Sequence, residues 1–152
     1  MAGDLQGIID QLVIIQNAIT PPTGENDLKC YDEPPTGVLT FPSFVNVEDD
    51  LAQVVRASSL RTITFFINMH LLFARADQKY SVRSRRAWIK PVIDAFDDAL
   101  VLDLAQPPVQ YAPIESVSFE NVVLPGSGSD QEYIAATFRL KAWLAEGFTF
   151  GA

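Results

Sequence analysis

One histidine and one cysteine in 152 residues leave catalysis little to work with. A Ser-His-Asp triad, a histidine-rich metal site or an imidazole acid–base pair would each have to use His70. Cys30 alone cannot close an intrachain disulfide. Basic charge is scarce too: 11 Lys and Arg stand against 19 Asp and Glu, a formal charge of -8. That balance disfavours adhesion to phosphate backbones and anionic membranes. No apolar run approaches the roughly 20 residues that cross a bilayer, so no membrane partner is expected. The first residues lack the basic flank and small-residue cleavage site of a secretory signal, which fits a reducing cytoplasm.

What is present suits one domain spanning residues 1–152, with 48% hydrophobic residues to build a core. Asp4 is a candidate N-cap, and Leu5, Ile8, Ile9, Leu12, Ile15 and Ile19 recur at helical spacing until Pro21-Pro22. The first helix is therefore placed at 5–18. Val13 and Ile14 widen its apolar face, so it is expected to be covered on more than one side. Short strands follow at 28–31 and 40–47. Their flanking prolines favour extended backbone and mark them as edge-type strands joined by a fixed turn.

An acidic tip, Glu48-Asp49-Asp50, comes next. From Leu60 the chain alternates, with Ile63, Phe65, Ile67, Met69, Leu71 and Phe73 on one face and Thr62, Thr64, Asn68 and His70 on the other. Residues 47–61 thus form the arm of a hairpin longer than a core requires. A second helix is placed at 80–104, with Val82, Ile89, Val92, Ile93, Phe96 and Leu100 inward. Pro91 should kink this helix, because the apolar phase runs through it. Two more alternating stretches, 109–124 and 134–144, form an antiparallel hairpin around the loop Pro125 to Asp130. In the first, Val117, Phe119 and Val123 oppose Ser118 and Glu120. In the second, Ile134, Ala136, Phe138, Leu140, Ala142 and Leu144 face in. The expected class is α+β: a twisted, largely antiparallel, mixed sheet with two main helices packed on one face and a long hairpin arm.

The stretches Cys30-Tyr31-Asp32-Glu33-Pro34-Pro35 and Phe41-Pro42-Ser43-Phe44-Val45-Asn46-Val47, with this order of elements, resemble the tail-terminator family (tail-completion, minor tail protein U-like) of long-tailed bacteriophages. The resemblance covers nearly the full length and rests on element order, with no catalytic signature. It implies a non-enzymatic virion protein, assembled in the host cytoplasm, that closes into a homo-hexameric ring. The ring caps the head-proximal end of the tail tube, stops tube growth and joins the tail to the head-side connector. Partners would be the chain itself, the tail tube protein and the connector or stopper protein, with DNA passing through the lumen unbound.

No residue pattern demands a cofactor or a metal. His70 lies on a polar strand face and Cys30 in a strand, where a half-buried thiol is the plain expectation. Asp94, Asp97 and Asp98 share the solvent face of a helix, and Asp103 follows without a glycine-bent loop to wrap an ion. The loop Gly126 to Ser129 lacks a phosphate-binding lysine.

Lys79, Arg83, Arg86 and Lys90 fall in one stripe that Asp94 and Asp97 continue with opposite sign. This order opposes the helix macrodipole, and a Lys90–Asp94 pair offsets only part of it. The expected lateral subunit contacts are accordingly Arg83, Arg86, Asp94 and Asp97, and the axial contacts Glu48, Asp49, Asp50 and Arg56. Two other readings remain: another neck or tail-tube component, or a small-molecule-binding or catalytic domain with a pocket around Trp88, Phe96 and Trp143.

Overall fold

The computed structural model describes residues 5–35, 39–57, 59–80, 82–99, 109–124 and 131–147. Among them lie helices α1 (Leu5–Asn17) and α2 (Val82–Asp97) and strands β1 (Lys29–Tyr31), β2 (Ser43–Glu48), β3 (Gln53–Ala57), β4 (Leu60–Arg75), β5 (Val109–Tyr111), β6 (Ile114–Ser118), β7 (Asn121–Val123) and β8 (Glu132–Gly147). The strands make one sheet in the order β1-β2-β4-β8-β5, with β3 also on β4 and with β6 and β7 also on β8. Only β1 and β2 run parallel; every other pair is antiparallel. The α+β class with a mixed, mostly antiparallel sheet is the architecture observed.

The two alternating stretches pair with each other. β4 and β8 are matched from Leu60 opposite Gly147 to Arg75 opposite Tyr133, with one irregularity between Leu72 and Ala74. Because side chains alternate across a strand, Ile67, Met69, Leu71 and Phe73 share a face with Ala136, Phe138, Leu140, Ala142 and Leu144. These meet Ile8, Ile9, Leu12 and Ile15 of α1 and Trp88, Val92 and Phe96 of α2 in the main core. Phe44 and Phe138 pack tilted there, with ring centroids 6.2 Å apart.

The other face is not uniformly polar. At one end it carries a smaller core of Leu39, Val45, Leu72, Leu124 and Ala135, edged by Tyr31, Phe41 and Tyr133.

Several expectations change. β2 is not an edge strand: it lies between β1 and β4, with its first four residues buried. Pro42 directly precedes it, so the missing amide proton falls outside the ladder, and the Phe41–Pro42 peptide is cis. β1 and β2 run parallel, which a tight turn cannot connect. The acidic residues form no tip. Glu48 opposes Ile67 and Gln53 opposes Thr64, so Asp49 to Ala52 bulge opposite Phe65 and Phe66.

The stretch 109–124 divides into three short strands. Phe119 falls between β6 and β7 and is exposed, as is Val123, so neither faces the core as the alternation suggests. α2 is one continuous helix with Pro91 inside it. α2 ends at Asp97, short of the expected 104, with Asp98 and Ala99 in a turn; Asp4, the proposed cap, and residues 100–104 lie outside the described residues.

One buried polar pair fixes α1 on the sheet. Gln16 Nε2 donates to Asn46 Oδ1 at 2.7 Å, Asn46 Nδ2 donates to Gln16 Oε1 at 3.0 Å, and the same Nδ2 reaches the Tyr31 carbonyl at 2.9 Å. Both residues are almost fully buried, so each amide relies on the other in place of water. Asn46→Ala is expected to destabilise the protein by about 2–4 kcal/mol, as it leaves the Gln16 amide and a carbonyl unsatisfied. The double change Gln16→Leu with Asn46→Leu should cost less than the two single changes added together. Urea unfolding of the four proteins measures this coupling.

Candidate functional site

Sixteen-residue strands outrun the helices above them. β4 and β8 each have 16 residues, about 50 Å of extended chain, whereas α2, the longer helix, spans about 24 Å. The surplus is an arm made of β3, the first residues of β4 and the last of β8. All five residues of β3 are exposed. Leu51 is 70% and Val55 63% exposed, and Val54 and Leu60 are also open. Val54 opposes Ile63, whose side of the sheet carries the helices, while Val55 opposes Thr62 on the other side. Both faces of the arm thus present apolar side chains to solvent. The expected arm is present, and it carries apolar surface as well as the anticipated charges.

On the helix-free face, alternation along β8 places Arg139, Lys141 and Trp143 in a row. The Arg139 guanidinium meets Asp49 Oδ2 at 3.0 Å and Glu115 Oε1 at 2.8 Å, and lies 4.6 Å from the Phe66 ring centroid. Asn68 Nδ2 also donates to Asp49 Oδ1 at 3.3 Å. Lys141 Nζ sits 4.6 Å from the Trp143 ring, and Trp143 stacks on Tyr111 at 5.3 Å with planes 8° apart. The row ties the bulge, β4, β8 and β6 together through half-exposed charges. Each exposed pair contributes about 0–1 kcal/mol, so the gain is chiefly in fixing positions.

The expected axial residues are therefore split. Glu48, Asp50 and Arg56 are exposed, whereas Asp49 is already held by Arg139 and Asn68. Arg56 stands directly opposite Arg61 in the β3–β4 pairing, which stacks like charges in the arm. Arg83, Arg86, Asp94 and Asp97 all lie exposed along the unbroken α2. Lys90 Nζ reaches Asp94 Oδ2 at 2.6 Å, the anticipated pair. α2 itself has no acidic residue in its first turn and no basic residue in its last, so its own sequence does not compensate the macrodipole.

The sequence matches no protein-family model and no curated protein sequence.

Among the described residues, the side chains singled out from sequence for chemistry do not converge. Among the described residues no group of three or more His, Cys, Asp or Glu is placed to hold a metal ion. Asp94, Asp97 and Asp98 are exposed, and Asp103 and the 125–130 loop lie outside the described residues. Trp88 and Phe96 are buried under the helices, but Trp143 is on the opposite face, so the three line no common pocket. Strand alternation decides this, since Ala142 and Leu144 on either side of Trp143 enter the core. Cys30 is half-buried, and burial pushes its thiol up to about 12, which keeps it protonated and unreactive. No helix of the described residues is long and apolar enough to cross a membrane.

Arg139, Glu115 and Phe66 were not among the residues singled out from sequence. The spacing of Arg139, Lys141 and Trp143 at every second position was a usable signal, but their carboxylate partners come from distant strands.

His70 is tied across the sheet to Thr137. Its Nδ1 lies 2.7 Å from Thr137 Oγ1 across the sheet, and burial lowers its imidazole to about 4 from an ordinary 6.5. The folded state thus disfavours the charged ring. Stability is fully present above the unfolded value near 6.5 and is lost as pH falls from there toward 4, by up to about 1.4 kcal/mol per pH unit. His70→Gln is expected to flatten that slope while conserving the fold. Denaturant unfolding at a series of pH values compares the two proteins, and equal slopes would overturn the assignment.

Proposed function

We propose that this chain is a non-enzymatic structural protein of a long-tailed phage particle, a tail terminator. It forms a hexameric ring on the head-proximal end of the tail tube, stops tube growth and joins the tail to the head connector. The observation that carries the reading is the arm: a hairpin extends past the core with β3 exposed over its whole length and apolar residues open on both faces. Isolated exposed apolar residues are ordinary, but a projecting cluster of them marks a surface meant for protein contact.

The open sheet supports assembly as well. Among the described residues β1 pairs only with β2, β3 only with β4, and β5, β6 and β7 only with β8, so the two sheet edges are unlike each other. Unlike surfaces that meet head to tail generate a closed ring when the rotation closes. Glu48, Asp50 and Arg56 then serve axial contacts near the arm, and Arg83, Arg86, Asp94 and Asp97 serve lateral ones. The acidic balance of the chain suits a lumen through which DNA slides without adhering.

Two experiments test this. Purified protein mixed with tail tubes is expected to place density on one tube end only, seen by electron microscopy. Val55→Asp with Leu51→Asp, both at exposed positions, should shift stability by about 0.5 kcal/mol or less yet abolish end capping. Uniform decoration of tube walls, or capping by the double variant, would sink the reading.

The α2 stripe has its own test. If basic Arg83 and Arg86 face an acidic neighbour, reversing both to Glu should improve the helix's dipole match and still weaken the ring, by about 1 kcal/mol or more per joint. Raising salt should weaken the unaltered ring in the same direction. Sedimentation across a salt series compares the two; equal, salt-independent assembly would reduce the stripe to a solvated face.

A further inference from the structure

A cleft opens beside the main core, where the loop after α1 crosses the start of α2. The loop is set by a turn in which the Glu25 amide donates to the Pro22 carbonyl at 3.0 Å and Gly24 takes φ +87°. Those features define a type II turn, which needs glycine at its third position. The turn brings Glu25 over Ser84 and Trp88 of α2, and Asn26, Phe41, Phe73 and Tyr80 are among the other residues that line the cleft. The cavity is about 180 Å³ and is continued outward, through shared Glu25 and Ser84, by a shallower vestibule that exposed Arg83 borders.

Two polar atoms in this cleft are left without partners. Glu25 Oε1 and the Tyr80 hydroxyl are both buried and neither makes a hydrogen bond. A buried carboxylate oxygen without a donor is costly and is normally matched by a cation or by N–H groups. The wall is mixed: Asn26 and Ser84 add polar groups, while Trp88 and Phe73 are nearly inaccessible and the Phe73 and Tyr80 rings pack at 5.3 Å. Burial, and then the Glu25 charge, push the Tyr80 phenol above its ordinary range against the opposing pull of Arg85, which places the carboxylate charge beside the hydroxyl. The phenol stays protonated, so its oxygen remains a neutral acceptor.

We propose that this cleft binds an organic monocation, an alkylammonium or alkylguanidinium group, with Glu25 Oε1 and the Tyr80 oxygen as acceptors and Trp88, Phe73 and Phe41 as its aromatic cage. A carboxylate joined to several ring faces is the donor set that such cations favour, since ring quadrupoles and the anion act on the same charge. The small volume limits the ligand to a short chain, a free amine or the end of a lysine or arginine side chain. Two cations oppose the ligand: Arg83 sits in solvent at the vestibule, where screening weakens its repulsion, and Arg85, whose charge reaches the Tyr80 phenol, lies 5.1 Å from the Phe119 ring centroid.

The two tryptophans make the test self-controlled, because Trp88 lines the cleft and Trp143 lies on the opposite face of the sheet. The full chain, labelled with ¹⁵N, is titrated with n-butylammonium, n-butylguanidinium and neutral n-butanol while both indole N–H resonances are followed. Either cation is expected to shift Trp88 saturably, with a millimolar Kd, and to leave Trp143 in place. Glu25→Gln should weaken this at least about tenfold and Tyr80→Phe several-fold, as the charge and one acceptor are lost. The unmoved Trp143 resonance shows that each variant is folded. N-acetyl-lysine methylamide separates the two sources: tighter binding than n-butylammonium assigns the site to a protein-borne lysine, and weaker binding to a free amine. Equal affinity for n-butanol, undiminished binding by Glu25→Gln, or no Trp88 shift with either cation would overturn the proposal.

Discussion

The antiparallel ladder between β4 and β8 is the constraint on which the rest of the molecule depends. Every strand except β1 hydrogen-bonds to one of these two. Its register decides the faces: Met69 opposes Phe138 and Ile67 opposes Leu140, and all four enter the core. A slip of one residue along either strand would carry Asn68 and His70, or Arg139 and Lys141, under the helices. Unpaired burial of those groups costs far more than a shifted ladder could return. The segment joining the two strands is long, but loop-closure entropy grows only slowly with length.

Strand length then divides the sheet into two parts with different roles. Where α1 and α2 cover it, burial is nearly complete, and the Gln16–Asn46 amide pair fixes the angle at which α1 lies. Beyond the helices the same two strands continue as the arm. The bulge at Asp49 to Ala52 marks the junction, and there Asp49 turns toward Arg139 and draws Asn68 and Glu115 into one charged row. Among the described residues, this part of the helix-free face is ordered by side-chain contacts. A protein built this way offers surfaces more readily than cavities, which is why a reading based on assembly rests on the arm and the sheet edges. Burial keeps the lone histidine neutral and the lone cysteine protonated.

The cleft at Glu25 stands apart from that frame. It arises because a short turn, the entry to β2 and the start of α2 meet at one corner of the core. A packed core normally satisfies its polar groups, and the two unpartnered oxygens in this corner are the ground for proposing a group that arrives from outside.

Period-two alternation at 62–73 and 134–144 was enough to place both long strands and their inward faces, because a half-buried strand must alternate. Helical spacing in α1 and the run of apolar positions across Pro91 likewise fixed both helices, and the continuous apolar phase explains why α2 does not break there. Composition alone set the acidic balance and the shortage of catalytic groups. Pairing was beyond reach. That β1 and β2 run parallel, that 109–124 divides into three strands, and that Asp49 belongs to a bulge follow from hydrogen bonds between segments far apart in the chain. Trp143 and Trp88 look equivalent as aromatic residues; only the register of β8 sends one to the open face and leaves the other in the core. The meeting of Glu25 with Tyr80, Phe41 and Phe73 has no local signature, because nothing in a turn, a strand end or a helix start specifies its neighbour until the sheet has closed. The sequence by itself determined most of the buried positions of the long strands and helices through their periodicity, with Val82, Phe119 and Val123 left exposed against it. The tertiary structure alone decided which side chains stand together, through the register of its ladders.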